Sequence, residues 1–513
     1  MREFIRQETV NNEEQFRGFL DTLETRLEEL RTRISQLEYE RMSTKRARPE
    51  LRELRKSLAE TMREPRLEEL ISVYRDKVTD ERLTRRTELW HRMVRHQKVE
   101  GDSEVAKLGG ELSDLIMTYD YPLAHNPEGT IADVRHVLRT ETKRELRKQA
   151  WACTEELAVK LRGRMHALHH RRNEVARALG YANYADYSLD KEGTGLELCL
   201  NLLKELNAAT QKEYAQLLQE RADRFGIDQI EPWDTQFLLD GGIDLPERYF
   251  PKSRITERLK DFSYLHGVPM DKLGVTPEYF DIPWNGVCMT VNSRKDARII
   301  CNPRDGYTYY RTMFHELGHG LHAVLNEQPE PIFAAEPSPS AEGIAETFGY
   351  FTRNPQWLLA IGIPEEELGK IMRALLAPWF FYLRQRGAFA LFGLEVYMNP
   401  DRDLDQLLGE IESEVTGVRA DSTPRWTANA WYVAGATWHN YIVADMVASQ
   451  LHRGLRQRFG EPYGNPEAID FLRERYLALG AAVEWRDKLK DISGEDLGVD
   501  ALVGDLKRMA RSE

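Results

Sequence analysis

Apolar residues fall at Phe16, Leu20, Leu23, Leu27, Leu30, Ile34 and Leu37. Steps of four and three with charges between them make a heptad stripe, which predicts a long amphipathic helix. A second stripe, Leu51, Leu54 and Leu58, follows Pro49, a residue that ends a helix. Together they predict an intramolecular helical hairpin, although heptads of this kind also pair separate chains. From about 80 to 240 the spacing stays helical, and Gly180 after Leu179 marks a helix C-terminus in the stretch Arg172 to Leu189. The texture changes between about 266 and 305. There Gly286 to Pro303 holds short β-branched runs around an Asn-Ser-Arg-Lys-Asp turn, which predicts a small hairpin or sheet. Helical spacing then resumes to the end. The pattern is that of a mainly α protein with one small β-sheet, without internal repeats.

The chain has 513 residues, beyond the size at which one hydrophobic core stops growing, so two lobes are expected. A helical N-terminal region over 1–160 and a second region over 161–513 are the expected division. A net charge of −13 argues against non-specific nucleic-acid binding, which rests on clustered Lys and Arg. No window is apolar enough to span a membrane. The first residues, MREFIRQETV, carry charges throughout and lack the apolar core of a secretory leader. Cys153, Cys199, Cys288 and Cys301 are far apart and form no CxxC pair. These features predict a cytoplasmic protein.

The stretch FHELGHGLH, Phe314 to His322, concentrates three histidines. His315 and His319 are one helical turn apart on one face, where two imidazoles reach a single Zn²⁺. Glu316 beside the first completes HExxH, the pattern in which the glutamate is general base for an attacking water. A buried helix with satisfied core histidines would also carry such residues. His322 shares the face but stands two turns from His315, roughly 10 Å along the axis, too far for one ion to bind all three. A supporting or substrate-side role suits it better.

A catalytic site of this kind needs a third ligand. Downstream, AAEPSPSAEGIAETFGYF (Ala334 to Phe351) starts a helix at Ser338, read as N-cap, with Pro339 at its first position. Glu342 and Glu346 lie one turn apart on it. One can bind the metal while the other accepts a hydrogen bond from a ligating imidazole.

The run HELGHGLH followed by PSPSAE resembles the gluzincin peptidases of the thimet oligopeptidase and oligoendopeptidase F family, and more distantly the angiotensin-converting-enzyme family. The lead-in DARIICNPRDGYTYYRTMFHE and the segment RNEVARALGYANYADYSL are similar too, and the resemblance covers roughly residues 165 to 450. It implies a two-lobed helical metallopeptidase with a deep channel that the N-terminal hairpin partly roofs. It also implies His315, His319 and Glu342 as ligands of one Zn²⁺, Glu316 as base and Glu346 behind a ligand. A late tyrosine that hydrogen-bonds the oxyanion is part of the pattern. Tyr441 matches it best, and His439 is a second candidate donor. His322, Gly286 and Tyr432 are candidates for the substrate's side.

The family usually carries a His or Lys about ten residues before that tyrosine, whereas this chain has Asn429, Trp431 and Tyr432. The departure favours oligoendopeptidase action on short unstructured peptides over peptidyl-dipeptidase or carboxypeptidase action. Non-catalytic peptide binding and a helical scaffold are the readings of another class. Co²⁺ or Mn²⁺ could replace Zn²⁺, and a monomer or weak homodimer is expected. A strand near Gly286 to Val291 could pair with an extended peptide backbone.

Overall fold

The computed structural model describes residues 1–511 except 125, 242–244, 281, 283, 284, 293 and 421. The chain is mostly helical and divides into two compact units, each built from three stretches of sequence. The first comprises Met1–Gly101, Pro246–Pro364 and Ala444–Gly498, and the second Asp102–Leu245, Glu365–Val443 and Val499–Glu513. The division expected at 160 falls inside the second unit's first stretch.

In the first unit the heptad stripe forms the helix Glu13–Thr44, capped by Asn12, whose side chain accepts the Gln15 N–H. It turns back into the helix Glu50–Met62. Ile34, Leu37 and Leu51 form one small cluster where the two helices meet. Phe16, Phe19, Leu20, Leu23 and Leu27 are buried with Ile332, Phe333 and Ala481. The stripe is thus used within the chain, because later segments supply its apolar partner. The same helix also buries a charge that its spacing does not announce. Glu24, only 2% exposed, accepts hydrogen bonds from Arg86 Nε and Trp90 Nε1, both at 2.7 Å.

The expected β segment is a three-stranded sheet. Asp296–Cys301 is central, with Val275–Tyr279 parallel on one side and Gly286–Asn292 antiparallel on the other. Gly286–Asn292 is therefore an edge strand, with Gly286 opposite Cys301 and Cys288 opposite Ile299. Ser293, part of the Asn-Ser-Arg-Lys-Asp run read from the sequence as a turn, lies outside the described residues. The helix Tyr307–Val324 packs on the sheet and against the helix Ser338–Tyr350.

Glycines set how closely this histidine helix packs. A Cβ on Gly320 would stand 2.7 Å from Val275 Cγ1 of the sheet, and one on Gly318 would stand 2.7 Å from Ala345 Cα of the next helix. Both approaches require the absence of a side chain. Because the obstacle at 318 is backbone that cannot step aside, Gly318→Ala is expected to destabilise the fold by about 1–3 kcal/mol. Chemical denaturation measures this, and an unchanged midpoint would show that the helices can separate freely.

The helix after the histidines is capped and begins one residue earlier than the sequence reading places it. Pro337 is the N-cap, and Ser338 and Pro339 are the first helical residues. Ser338 therefore does not cap the helix, since the extended backbone at Pro337 already sets its start.

The second unit contains the helices Glu155–Ala178, Leu196–Arg224 and Glu365–Met398. Gly180 has φ 91°, the left-handed conformation that ends the first of them. It also holds a second small sheet, Tyr121–Leu123 paired with Asn126–Gly129, which the sequence reading did not identify. Strands of three and four residues are too short for an alternation of period two to register.

Candidate metal centre

His315 and His319 project from one face of the histidine helix toward Glu342 on its neighbour. Their ring centroids are 4.8 Å apart at 86°. Glu342 Oε2 lies 3.4 Å from His315 Nε2 and 3.7 Å from His319 Nε2. One ligand atom from each of the three residues falls within 4.8 Å of the others. A tetrahedral ion with bonds of ~2.0–2.1 Å separates its ligands by roughly 3.3 Å. Two imidazoles and a carboxylate with these spacings fit such an ion, and the donor set is one that zinc accepts.

Behind His315, Glu346 Oε1 lies 3.3 Å from Nδ1, the nitrogen turned away from Glu342. Arg311 Nη2 donates to both oxygens of Glu346, at 2.6 and 2.8 Å. The Arg–Glu–His series orients the ring and supports its basicity. Burial alone would raise Glu346, but Arg311, His315 and Arg353 outweigh it and hold the carboxyl well below its ordinary range. Burial likewise opposes the ionisation of Glu342, and the two imidazoles reverse it. Burial works against a charge on His315 too, yet Glu342 and Glu346 push it up to about 10. The cluster therefore calls for positive charge at its centre.

Glu316 is 7% exposed. Burial raises its pKa against the pull of His315 and His319, the tuning that suits a base working near neutral pH. A Cβ built on Gly286 would come within 2.5 Å of Thr312 Cγ2 and 3.2 Å of Glu316 Oε1. Gly286 thus lets the edge strand pass directly beside that carboxylate. Gly286→Val is expected to displace Glu316 and lower activity by more than tenfold, as measured by kcat/KM; unchanged turnover would show that the strand can retreat.

His322 is buried, and its Nε2 lies 2.9 Å from Glu336 Oε1. Glu336 also receives Lys488 Nζ at 2.6 Å and a short hydrogen bond from the Ser340 hydroxyl. Lys488 and Glu336 side chains are 0% and 2% exposed. The sequence reading missed Glu336, Lys488 and Arg311. Arg311 could have been found, since it precedes His315 by one helical turn on the ligand face. Lys488 offers no local signal.

Tyr441, His439 and Tyr432 belong to the second unit. Tyr441 is half-buried and packs edge-on against Trp431. His439 is 1% exposed, burial lowers its pKa to about 4, and it is neutral at physiological pH. Tyr432 is 2% exposed among Phe392 and Trp426, with its hydroxyl 3.5 Å from the Phe389 carbonyl. Tyr432, read from the sequence as a candidate for the substrate's side, thus has its ring buried by aromatic packing.

The model of Peptidase family M3 matches residues 137–259, upstream of the histidine helix. Oligopeptidase A of Escherichia coli (strain K12) is 23% identical over 412 residues, covering 65% of this chain and 60% of that protein. Saccharolysin of Saccharomyces cerevisiae is 21% identical over 484 residues, covering 76% and 66%. The chain thus spans about 60% of the length of the first of these curated relatives. The solved structure of PZ peptidase A with an inhibitor superposes with a TM-score of 0.72 at 14% identity, over 99% of this chain and 94% of that one. At that identity the likeness shows a shared fold.

Proposed function

From the chain's relationship to the peptidases of family M3, we propose that it is a zinc-dependent oligopeptidase that hydrolyses internal bonds of short unstructured peptides. The convergence of His315, His319 and Glu342 beside a buried, unligated Glu316 carries this reading. His315, His319 and Glu342 would hold Zn²⁺, which when bound supplies Lewis acidity to the scissile carbonyl and to the attacking water. Glu316 accepts the water proton and delivers it to the leaving amine, so one carboxyl serves as base and then as acid. Glu346 and Arg311 keep His315 oriented. In this reading Tyr441 is the donor to the developing oxyanion, and His439, buried and neutral, supports its helix. The edge strand Gly286–Asn292, with no strand on its far side among the described residues, suits pairing with a peptide backbone. Such pairing is indifferent to side chains. The intracellular address and the absence of nucleic-acid and membrane partners stay part of the proposal.

Metal supply gives the first test. Zinc at a thousandfold over its Kd should stabilise the protein by about 4 kcal/mol, seen as a rise in Tm that a chelator reverses. His319→Ala should abolish both the rise and the bound metal. Peptide cleavage, followed by mass spectrometry of products, should require the metal. A zinc-loaded chain that leaves every peptide of ~8 to 20 residues intact would refute the catalytic reading.

A further inference from the structure

Behind Glu346 the first unit buries more charge than the orientation of one histidine requires. Arg311 donates two hydrogen bonds to Glu346, which already satisfy that carboxylate on one side. A second guanidinium, that of Arg353, is 7% exposed, and its Nη2 stands 4.0 Å from Glu346 Oε2, beyond hydrogen-bond reach. It lies over the Tyr350 ring, with 4.1 Å between its central carbon and the ring centroid. The Tyr350 hydroxyl donates to Asp445 Oδ1 at 2.8 Å and to the Asp445 carbonyl at 3.2 Å. Asp445 is 3% exposed and stands on the helix Trp438–Phe459, in the part that belongs to the first unit.

The charges give this second carboxylate a task. Two guanidiniums facing Glu346 alone would leave a surplus positive charge in the interior, where water screens it little. That surplus competes with His315 for Glu346. The more firmly the guanidiniums hold the carboxylate, the less it draws on His315 Nδ1, 3.3 Å away. The imidazole is then a poorer donor at its other nitrogen. An ionised Asp445 cancels the surplus. Burial raises the pKa of Asp445 and Glu346 adds to the rise, while Arg353, Arg311 and the bond from Tyr350 oppose it. Its charge thus depends on the guanidiniums, as their burial depends on its charge.

We propose that Asp445 is a positioning residue for the metal centre: it neutralises Arg353, so that Glu346 stays committed to His315 and His315 holds zinc firmly. The proposal rests on the reading of His315, His319 and Glu342 as a zinc site. It places a determinant of metal affinity on a helix that supplies none of the three ligands.

The test is a double-mutant cycle on the full chain. Zinc Kd is read by competition with a chromophoric chelator for wild type, Asp445→Asn, Arg353→Gln and the double variant. Asp445→Asn keeps the shape of the side chain and removes its charge. It should weaken zinc binding about tenfold or more, the range expected when an outer partner of a ligating histidine is lost. Arg353→Gln removes the surplus that Asp445 cancels, so the double variant should bind zinc within about threefold of Arg353→Gln alone. Loss of packing would instead weaken both backgrounds alike. Tyr350→Phe removes a hydrogen bond that favours the ionised Asp445 and keeps the ring beneath Arg353. It should weaken zinc in the same direction, and it replaces Asp445→Asn if that variant does not fold. Unchanged affinity in the charge-removing or hydroxyl-removing variant, or an equal loss in both backgrounds, overturns the proposal while the zinc site stands. A wild type that binds no zinc removes the zinc reading and the proposal together.

Discussion

Glu316→Gln is expected to lower kcat by 10²–10⁴-fold or more while leaving bound zinc at one ion per chain. The substitution keeps the shape of the side chain and removes its ability to accept and return a proton, a role worth about that factor in other general-base enzymes. It leaves His315, His319 and Glu342 untouched, and those are the atoms within 4.8 Å of one another. KM should change little, because the lost interaction belongs to the transition state. The measurement pairs metal analysis with single-turnover rates. A variant that keeps more than a tenth of wild-type kcat would mean that another group moves the proton. A variant that loses its zinc would mean that Glu316 supports the metal rather than the reaction.

The second large effect concerns stability. Glu336→Ala should destabilise the first unit by about 3–5 kcal/mol, since Lys488 would be left as a buried charge without its partner. In the wild type the carboxyl of Glu336 is held well below its ordinary value of 4.5: burial alone would raise it, but Lys488 and His322 outweigh burial. A group whose folded pKa is depressed adds stability that is complete above its unfolded value and is lost as pH falls toward the folded one. The contribution should thus be full at pH 6 and decline only below about 4.5. The gap between wild type and Glu336→Gln should narrow across that acid range. Urea midpoints between pH 3 and 7 measure it, and a gap that stays constant with pH would disprove the ionised state of Glu336.

The parts of this molecule that could be read from sequence are those that act over one or two helical turns. The heptad stripe from Phe16 to Leu37, the Gly180 stop and the spacing of His315, Glu316 and His319 are local patterns with one geometric meaning each. Glu342 and Glu346 were legible because they share a helix face. The three-stranded sheet was legible only in part, for the parallel partner Val275–Tyr279 is not contiguous with the β-branched run. Ser338 was misread as a cap because a serine before proline satisfies the rule whether or not the backbone begins its helix there. The burial of Tyr432 by Phe392 and Trp426 was not legible, because it depends on tertiary contacts that no short window contains. Lys488 was invisible for the same reason, being 152 residues from the carboxylate it neutralises.

That separation has a consequence for how the protein is made. All three candidate ligands have been synthesised once the chain reaches Glu342, yet the unit that contains them also draws on Ala444–Gly498. A growing chain halted between those points holds the donor atoms with Glu336 unneutralised by Lys488 and with Ala481 missing from the apolar cluster of the hairpin. Completion of the first unit's core, and with it a stable setting for the three donors, therefore falls after Ala444–Gly498 has been made.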